Sequence, residues 1–312
     1  MPFLVRRALQ AVVVLAAAFT GAFVLMQALP GDAILIKFEN PELGLSAAQI
    51  AEIRAAYGAD STPIEQFLHT LAGFLAGDFG YSIQYGTAVH ELIGEALPGT
   101  ALLAGLGFAA AVVLAVAIAF LSTLAPFAWL GQAIRALPGL FVSVPVFWLG
   151  IVLIQVFSFQ LKLVPLIGAS GPEALVLPVL TLAVPIAAPI AQVLVRAIDE
   201  ASLSPFVAVA RAKGAGPARV LVRDVARNAA LPALTISGVL VGELIGGAVV
   251  TETVFGRAGI GRLTEQAVSN QDVPVLQAVV VLAAVVFVVV SLAVDLVAPL
   301  IDPRLTRKAV AA

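Results

Sequence analysis

Apolar residues run along this chain in blocks of about 20, the length a helix needs to cross a bilayer. Six such blocks stand out, at 8–29, 98–122, 136–159, 174–195, 231–254 and 274–299. Each is too long for a barrel strand and lacks strict alternation, so the pattern predicts an all-α membrane protein of six transmembrane helices. The first block follows Arg6 and Arg7, as a signal peptide would. Its apolar run of about 22 residues exceeds the usual signal core of 7–15, and Leu29-Pro30-Gly31-Asp32 offers no small-residue cleavage site, so it reads as an uncleaved helix.

The polar stretches carry their own helical signals. Between 30 and 97, Ser46 and Gln49 have capping-box spacing, Ile50, Ile53 and Tyr57 fall on one face, and Gly58 is a stop. Thr62 and Glu65 form a second box with Pro63 at the first helical position. Phe67, Leu68, Leu71, Phe74 and Leu75 make its apolar face, and Gly77 ends it. A third helix is expected from Thr87 into Pro98. The segment is a small helical extension that must lean on the membrane part, too short for an independent receptor domain. Pro138 and Pro145 in the third block, and Pro178, Pro185 and Pro189 in the fourth, each remove a backbone donor. They read as bends lining a cavity or as prolines simply tolerated in a membrane.

Composition agrees with the pattern. Of 312 residues 61% are hydrophobic and 12% charged, against roughly 25% charged in soluble domains, and the mean hydropathy is +1.07. A net charge of -2 gives no reason to expect nucleic-acid binding. Charge also sets orientation. With the N-terminus inside, twelve Lys and Arg face the cytoplasm and five face outward, which predicts both termini cytoplasmic and 30–97 outside.

Candidate chemistry is sparse. The chain has no cysteine and two histidines, His69 and His90, too few for a zinc site of the usual kind. No P-loop is present, and Gly256, Gly259 and Gly261 have the wrong order for a dinucleotide fingerprint. No catalytic constellation is visible, so no enzyme activity, cofactor or metal is assigned to this chain.

Three features remain. In the cytoplasmic segment 196–230, Ser204-Pro205 starts a short helix carrying Phe206, Val207, Val209 and Ala210. It stops at Gly214, and Gly216-Pro217 starts a second with Arg219, Arg223 and Arg227 at i, i+4, i+8. Two short helices held between membrane spans form a rigid protrusion suited to docking. The alternative is that the arginines only obey the positive-inside rule and touch anionic lipid. In the fifth block Gly238, Gly242 and Gly246 form a close-packing stripe for a partner helix of this chain or another. Glu243 lies about 100° off that stripe. It either lines a pathway and meets a cationic group, such as a peptide amine, or makes a structural hydrogen bond.

The stretch FVAVARAKGAGPARVLVRDVARNAALP, 206–232, resembles the EAA loop of ABC importer permeases. More narrowly, the chain is similar to the B-type permease subunit of dipeptide, oligopeptide and nickel importers. The same family carries the opening arginine pair and L-P-G-D, matched by Arg6, Arg7 and Leu29 to Asp32. It also carries segments like YGADSTPIEQFLHTLAGFLAGDFGYS at 57–82, TETVFGRAGIGRLTEQAVSNQDVPVLQ at 251–277 and VDLVAPLIDPR at 294–304. The chain departs from the name-giving motif with Arg211 before Lys213 and Gly214, with Asp224 interrupting the basic face, and with Glu243 where a small or apolar residue is expected.

The resemblance implies a type I ABC importer permease fold. Its parts would be an N-terminal helix, 1–29, an extracytoplasmic helical segment, 30–97, and a five-helix core, 98–312, with the coupling loop 196–230. It implies a heterodimer with a second homologous permease, two ABC ATPase subunits that bind ATP-Mg, a substrate-binding protein outside and surrounding lipid, in the inner membrane of a prokaryote. ATPase coupling would fall to Phe206, Val209, Ala210, Arg211, Lys213, Gly214, Arg219, Arg223 and Arg227. The implied cargo is a di- or oligopeptide, with nickel or another small solute as the alternative. An ion-coupled secondary transporter would need a coupled set of intramembrane ionisable groups and inverted repeats, and only Glu243 stands out.

Overall fold

A computed structural model of the chain describes residues 3–28, 38, 46–56, 61–165 and 171–301. Every extended element among them is a helix, and one isolated bridge joins Tyr81 to Ala88. Four helices are long and apolar enough to cross a membrane: Val5–Ala28, Val89–Leu124, Glu173–Ser202 and Val273–Leu296. Among the described residues two bent helix pairs also qualify by joint length and composition, each as a broken span or a re-entrant loop: Ala128–Ser143 with Val146–Gln160, bent by 104°, and Pro217–Val239 with Val241–Phe255, bent by 51°.

The third expected span, 136–159, is therefore not one straight helix. Pro145 caps the second arm and cannot continue the first, and the chain turns sharply there. Each arm has about 15 residues and reaches roughly 23 Å, short of a 30 Å hydrocarbon core. The helix expected to end at Pro98 also differs, since Val89–Leu124 runs unbroken through it for 36 residues.

By contacts the chain divides into two units. The first comprises Met1–Thr100 and Ala258–Val288. Here the capping box at Thr62 and Glu65 is complete, and Gly77 takes the left-handed conformation that ends Pro63–Ala76. The Thr62 N–H and hydroxyl hold the Glu65 carboxyl below the usual carboxylate range, so this cap weakens only under acid conditions. The Ser46–Gln49 box also forms; Tyr57 and Gly58 lie outside the described residues, as do Leu29 to Asp32.

Helix Pro63–Ala76 leans on the N-terminal helix through an aromatic cluster. Phe67 meets Phe19 at 5.5 Å and Phe23 at 5.2 Å, and Phe74 meets Phe19 at 5.2 Å, all edge to face. Its apolar face is narrower than the sequence suggested, because Leu68 and Leu75 are exposed.

The second unit comprises Ala101–Arg257 and Val289–Ala312. Helix Glu173–Ser202 is its centre, with Leu182, Ala183, Ile186, Ala187, Ile190 and Ala191 all buried. A Cβ on either Gly107 or Gly247 would approach the Leu182 side chain to 2.8 Å, so both glycines let neighbouring helices close onto it. The helix stays continuous through Pro178, Pro185 and Pro189. Pro178 has no N–H to give the Ala174 carbonyl, and the Arg257 guanidinium donates to that oxygen at 3.4 Å.

Candidate functional site

Between helix Glu173–Ser202 and the bent pair beginning at Pro217 lies the short helix Pro205–Ala212. Pro205 occupies its first position, and a Schellman motif ends it: Ala215 N–H bonds to Ala210 C=O at 3.1 Å, and Gly214 N–H to Arg211 C=O at 2.9 Å. That closure needs a left-handed residue, and Gly214 has φ +83°. Pro217 then opens the next helix, as expected.

The expected second short helix is not separate. Pro217–Arg219 continues into π-helix over Val220–Val225 and then Ala226–Val239, so the segment joins the fifth span with Pro232 inside it. The wider turn sets Val220 and Val225 on one buried face at a five-residue spacing. Arg219, Arg223 and Arg227 all stay exposed.

A shared apolar core sits under this protrusion. Val207, Val220, Leu221, Val225 and Ala229 pack with Ala119, Leu194 and Ile198. Each fully buried valine, leucine or isoleucine contributes about 1.5–3 kcal/mol. The protrusion is thus packed onto the end of the central helix Glu173–Ser202. Arg135 grips Asp199 at the same helix end with two bonds, 2.6 and 2.9 Å. Both side chains are well exposed, so the pair adds at most about 1 kcal/mol.

On the outer surface of the protrusion is a recess of about 310 Å³. Phe206, Val209, Ala210 and Ala215 line it together with Lys213, Arg219, Arg223 and Asp224. Of the nine expected coupling residues, Phe206, Val209, Ala210, Lys213, Arg219 and Arg223 line this recess. Arg211, Gly214 and Arg227 are exposed on the same segment.

The glycine stripe divides. Gly238 packs on Val294, which a Cβ would approach to 3.0 Å, whereas Gly242 and Gly246 have open space around them. Glu243 is exposed beside those two. His69 and His90 are exposed, and among the described residues no group of three acidic or histidine side chains could hold a metal ion.

One residue of consequence is invisible in the sequence pattern. Asp272 is 1% exposed. Its carboxylate accepts bonds from Ser82 Oγ, from Ile83 N–H at 3.2 Å and from Gln84 N–H at 3.1 Å. It locks the loop 80–88 to the start of the last span.

Comparison with known proteins completes the picture. The family described as binding-protein-dependent transport system inner membrane component matches residues 107–307, and its N-terminal counterpart matches residues 1–104. The chain is 32% identical to the "Probable peptide ABC transporter permease protein y4tP" of Sinorhizobium fredii, over 97% of this chain and 98% of that one. It is 31% identical to the oligopeptide transport system permease protein AppB of Bacillus subtilis, over 97% and 98%. It is also 31% identical to the glutathione transport system permease protein GsiC of Escherichia coli, over 92% of each. Among solved structures, a chain of the MetNI methionine ABC transporter in inward-facing conformations aligns with TM-score 0.57 at 18% identity, over 68% of this chain and 96% of that one. A chain of an amino acid ABC transporter with histidines aligns at TM-score 0.51 and 18% identity, over 66% and 92%. Six apolar segments and matches over nearly the whole length converge: the chain belongs to the inner membrane components of binding-protein-dependent ABC importers.

Proposed function

We propose that this chain is one of two homologous permeases of an ATP-driven peptide importer. The observation that carries this reading is the recessed protrusion sharing a core with helix Glu173–Ser202. Peptide cargo is supported by relatives named for peptide, oligopeptide and glutathione transport. The termini and segment 196–230 face the cytoplasm, as the distribution of Lys and Arg suggests. Two ATPase subunits dock there, and ATP-Mg bound by them supplies the energy, with no cofactor or metal in this chain. A binding protein delivers cargo to the outer face. When the ATPases close they push on 203–229, and the shared core passes the motion to the central helix, which biases a two-state assembly.

The open face at Gly242 and Gly246 meets the second permease, and Glu243, about 100° round the helix from it, lines the pathway. The test is uptake of labelled di- or oligopeptides by the reconstituted importer. Uptake must require ATP and the binding protein; uptake driven by an ion gradient alone would overturn the reading. In the same assay Glu243→Gln is expected to raise the transport KM by about tenfold, because a charge-assisted contact is worth roughly 1.5–3 kcal/mol. Complex yield should stay normal. Unchanged kinetics at normal yield would remove Glu243 from the pathway.

A further inference from the structure

The charge balance of the protrusion says more about what covers it. Between 203 and 229 the chain carries Arg211, Lys213, Arg219, Arg223 and Arg227 against the single acid Asp224. All five cations are exposed. Among the described residues none of them has an ion-pair partner, although Arg135 close by is fully paired with Asp199. Three of them line the recess together with Phe206 and Val209, which are 41% and 54% exposed.

We propose that the ATPase subunit seated here presents an acidic surface, with an apolar side chain projecting into the recess and carboxylates meeting Lys213, Arg219 and Arg223. The proposal rests on the assignment of 203–229 as the coupling element and adds the chemistry of the partner. Shape favours a protein over a lipid surface. A lipid headgroup surface is broad and flat, whereas Phe206, Val209, Lys213, Arg219 and Arg223 share one concave recess that a protein side chain can enter. Arginine in particular suits paired contact with carboxylates. Exposed charges at an interface govern encounter and salt dependence more than residence.

The experiment reconstitutes the permease assembly in nanodiscs of neutral phosphatidylcholine and measures binding of the importer's own ATPase subunits. From about 0.1 to 1 M salt the screening length falls from roughly 10 to 3 Å. Affinity is expected to drop by about tenfold or more over that range, mainly through a slower association rate. The double variant Arg219→Glu with Arg223→Glu should bind about tenfold more weakly at the lower salt and lose most of the salt dependence. Arg219→Gln with Arg223→Gln should fall between. Exchanging acidic residues for lysine on the ATPase face should restore binding to the glutamate variant.

Binding that ignores salt and both substitutions would overturn the acidic-partner inference while leaving the coupling assignment in place. Binding that appears only when phosphatidylglycerol is added, and then ignores the substitutions, would also overturn it in favour of a lipid contact. No ATPase binding under any condition would sink the coupling assignment itself.

Discussion

Replacing Gly214 by tryptophan is expected to abolish transport while the chain still inserts and accumulates in the membrane. Gly214 has φ +83°, and a side chain there costs about 1–2 kcal/mol in backbone strain. Within the chain a Cβ at this position meets nothing within 4 Å, and Gly214 is exposed, so a larger side chain can extend away from the core. It projects instead into the space that a docked subunit must occupy. Gly214→Ala separates the two effects, since it carries the strain without the bulk. Uptake by the alanine variant should fall only a few-fold, whereas the tryptophan variant should lose at least tenfold and its ATPase subunits as well, on the basis of that strain plus exclusion of the partner. Full uptake by a normally expressed tryptophan variant would show that 203–229 is not the coupling element.

Asp272→Ala is expected to be the most damaging single change outside the protrusion. It removes the acceptor shared by the Ser82 hydroxyl and the Ile83 and Gln84 N–H groups, and Ser82 is fully buried. Taking the acceptor away from the buried Ser82 hydroxyl costs about 1–3 kcal/mol. Loop 80–88 should become open to protease in the folded protein, and the yield of assembled complex should drop. Ser82→Ala removes one partner and should have a smaller effect in the same assays. An alanine variant at 272 with normal yield and a protected loop would show that the carboxylate is not a lock.

These two sites differ in how far the sequence reveals them. The protrusion was legible because its signals are local: Ser204-Pro205, Gly214 and Gly216-Pro217 punctuate it within fourteen residues, and each mark falls where a helix boundary forms. The helix length beyond Pro217 was not legible. A 3.6-residue template does not anticipate the widened turn at Val220–Val225.

Asp272 was opaque for another reason. Its partners lie 188 to 190 residues earlier, so spacing carries no trace of the pairing. The prolines make the same point. Pro145 breaks a span while Pro178 sits in a continuous helix, and the difference at Pro178 includes an arginine 79 positions later that takes up the orphaned carbonyl of Ala174. Hydropathy located the apolar blocks, yet it could not separate a straight crossing from two arms bent by 104°. Nor could glycine spacing tell that Gly238 packs inside the chain while Gly242 and Gly246 stay open.

The absence of cysteine from the chain makes site-directed cross-linking clean, and this is the most direct test of the coupling assignment. A single cysteine is placed at Val209 in the recess lining, and another, in a separate variant, at Ser61 ahead of helix Pro63–Ala76. Both are expressed with the whole importer in native membranes and treated with a short thiol-to-amine cross-linker. The account predicts a covalent adduct between Val209→Cys and an ATPase subunit, and none from Ser61→Cys, which should react with an impermeant reagent added outside. An ATPase adduct from position 61, or none from position 209 in a transport-active assembly, would contradict it.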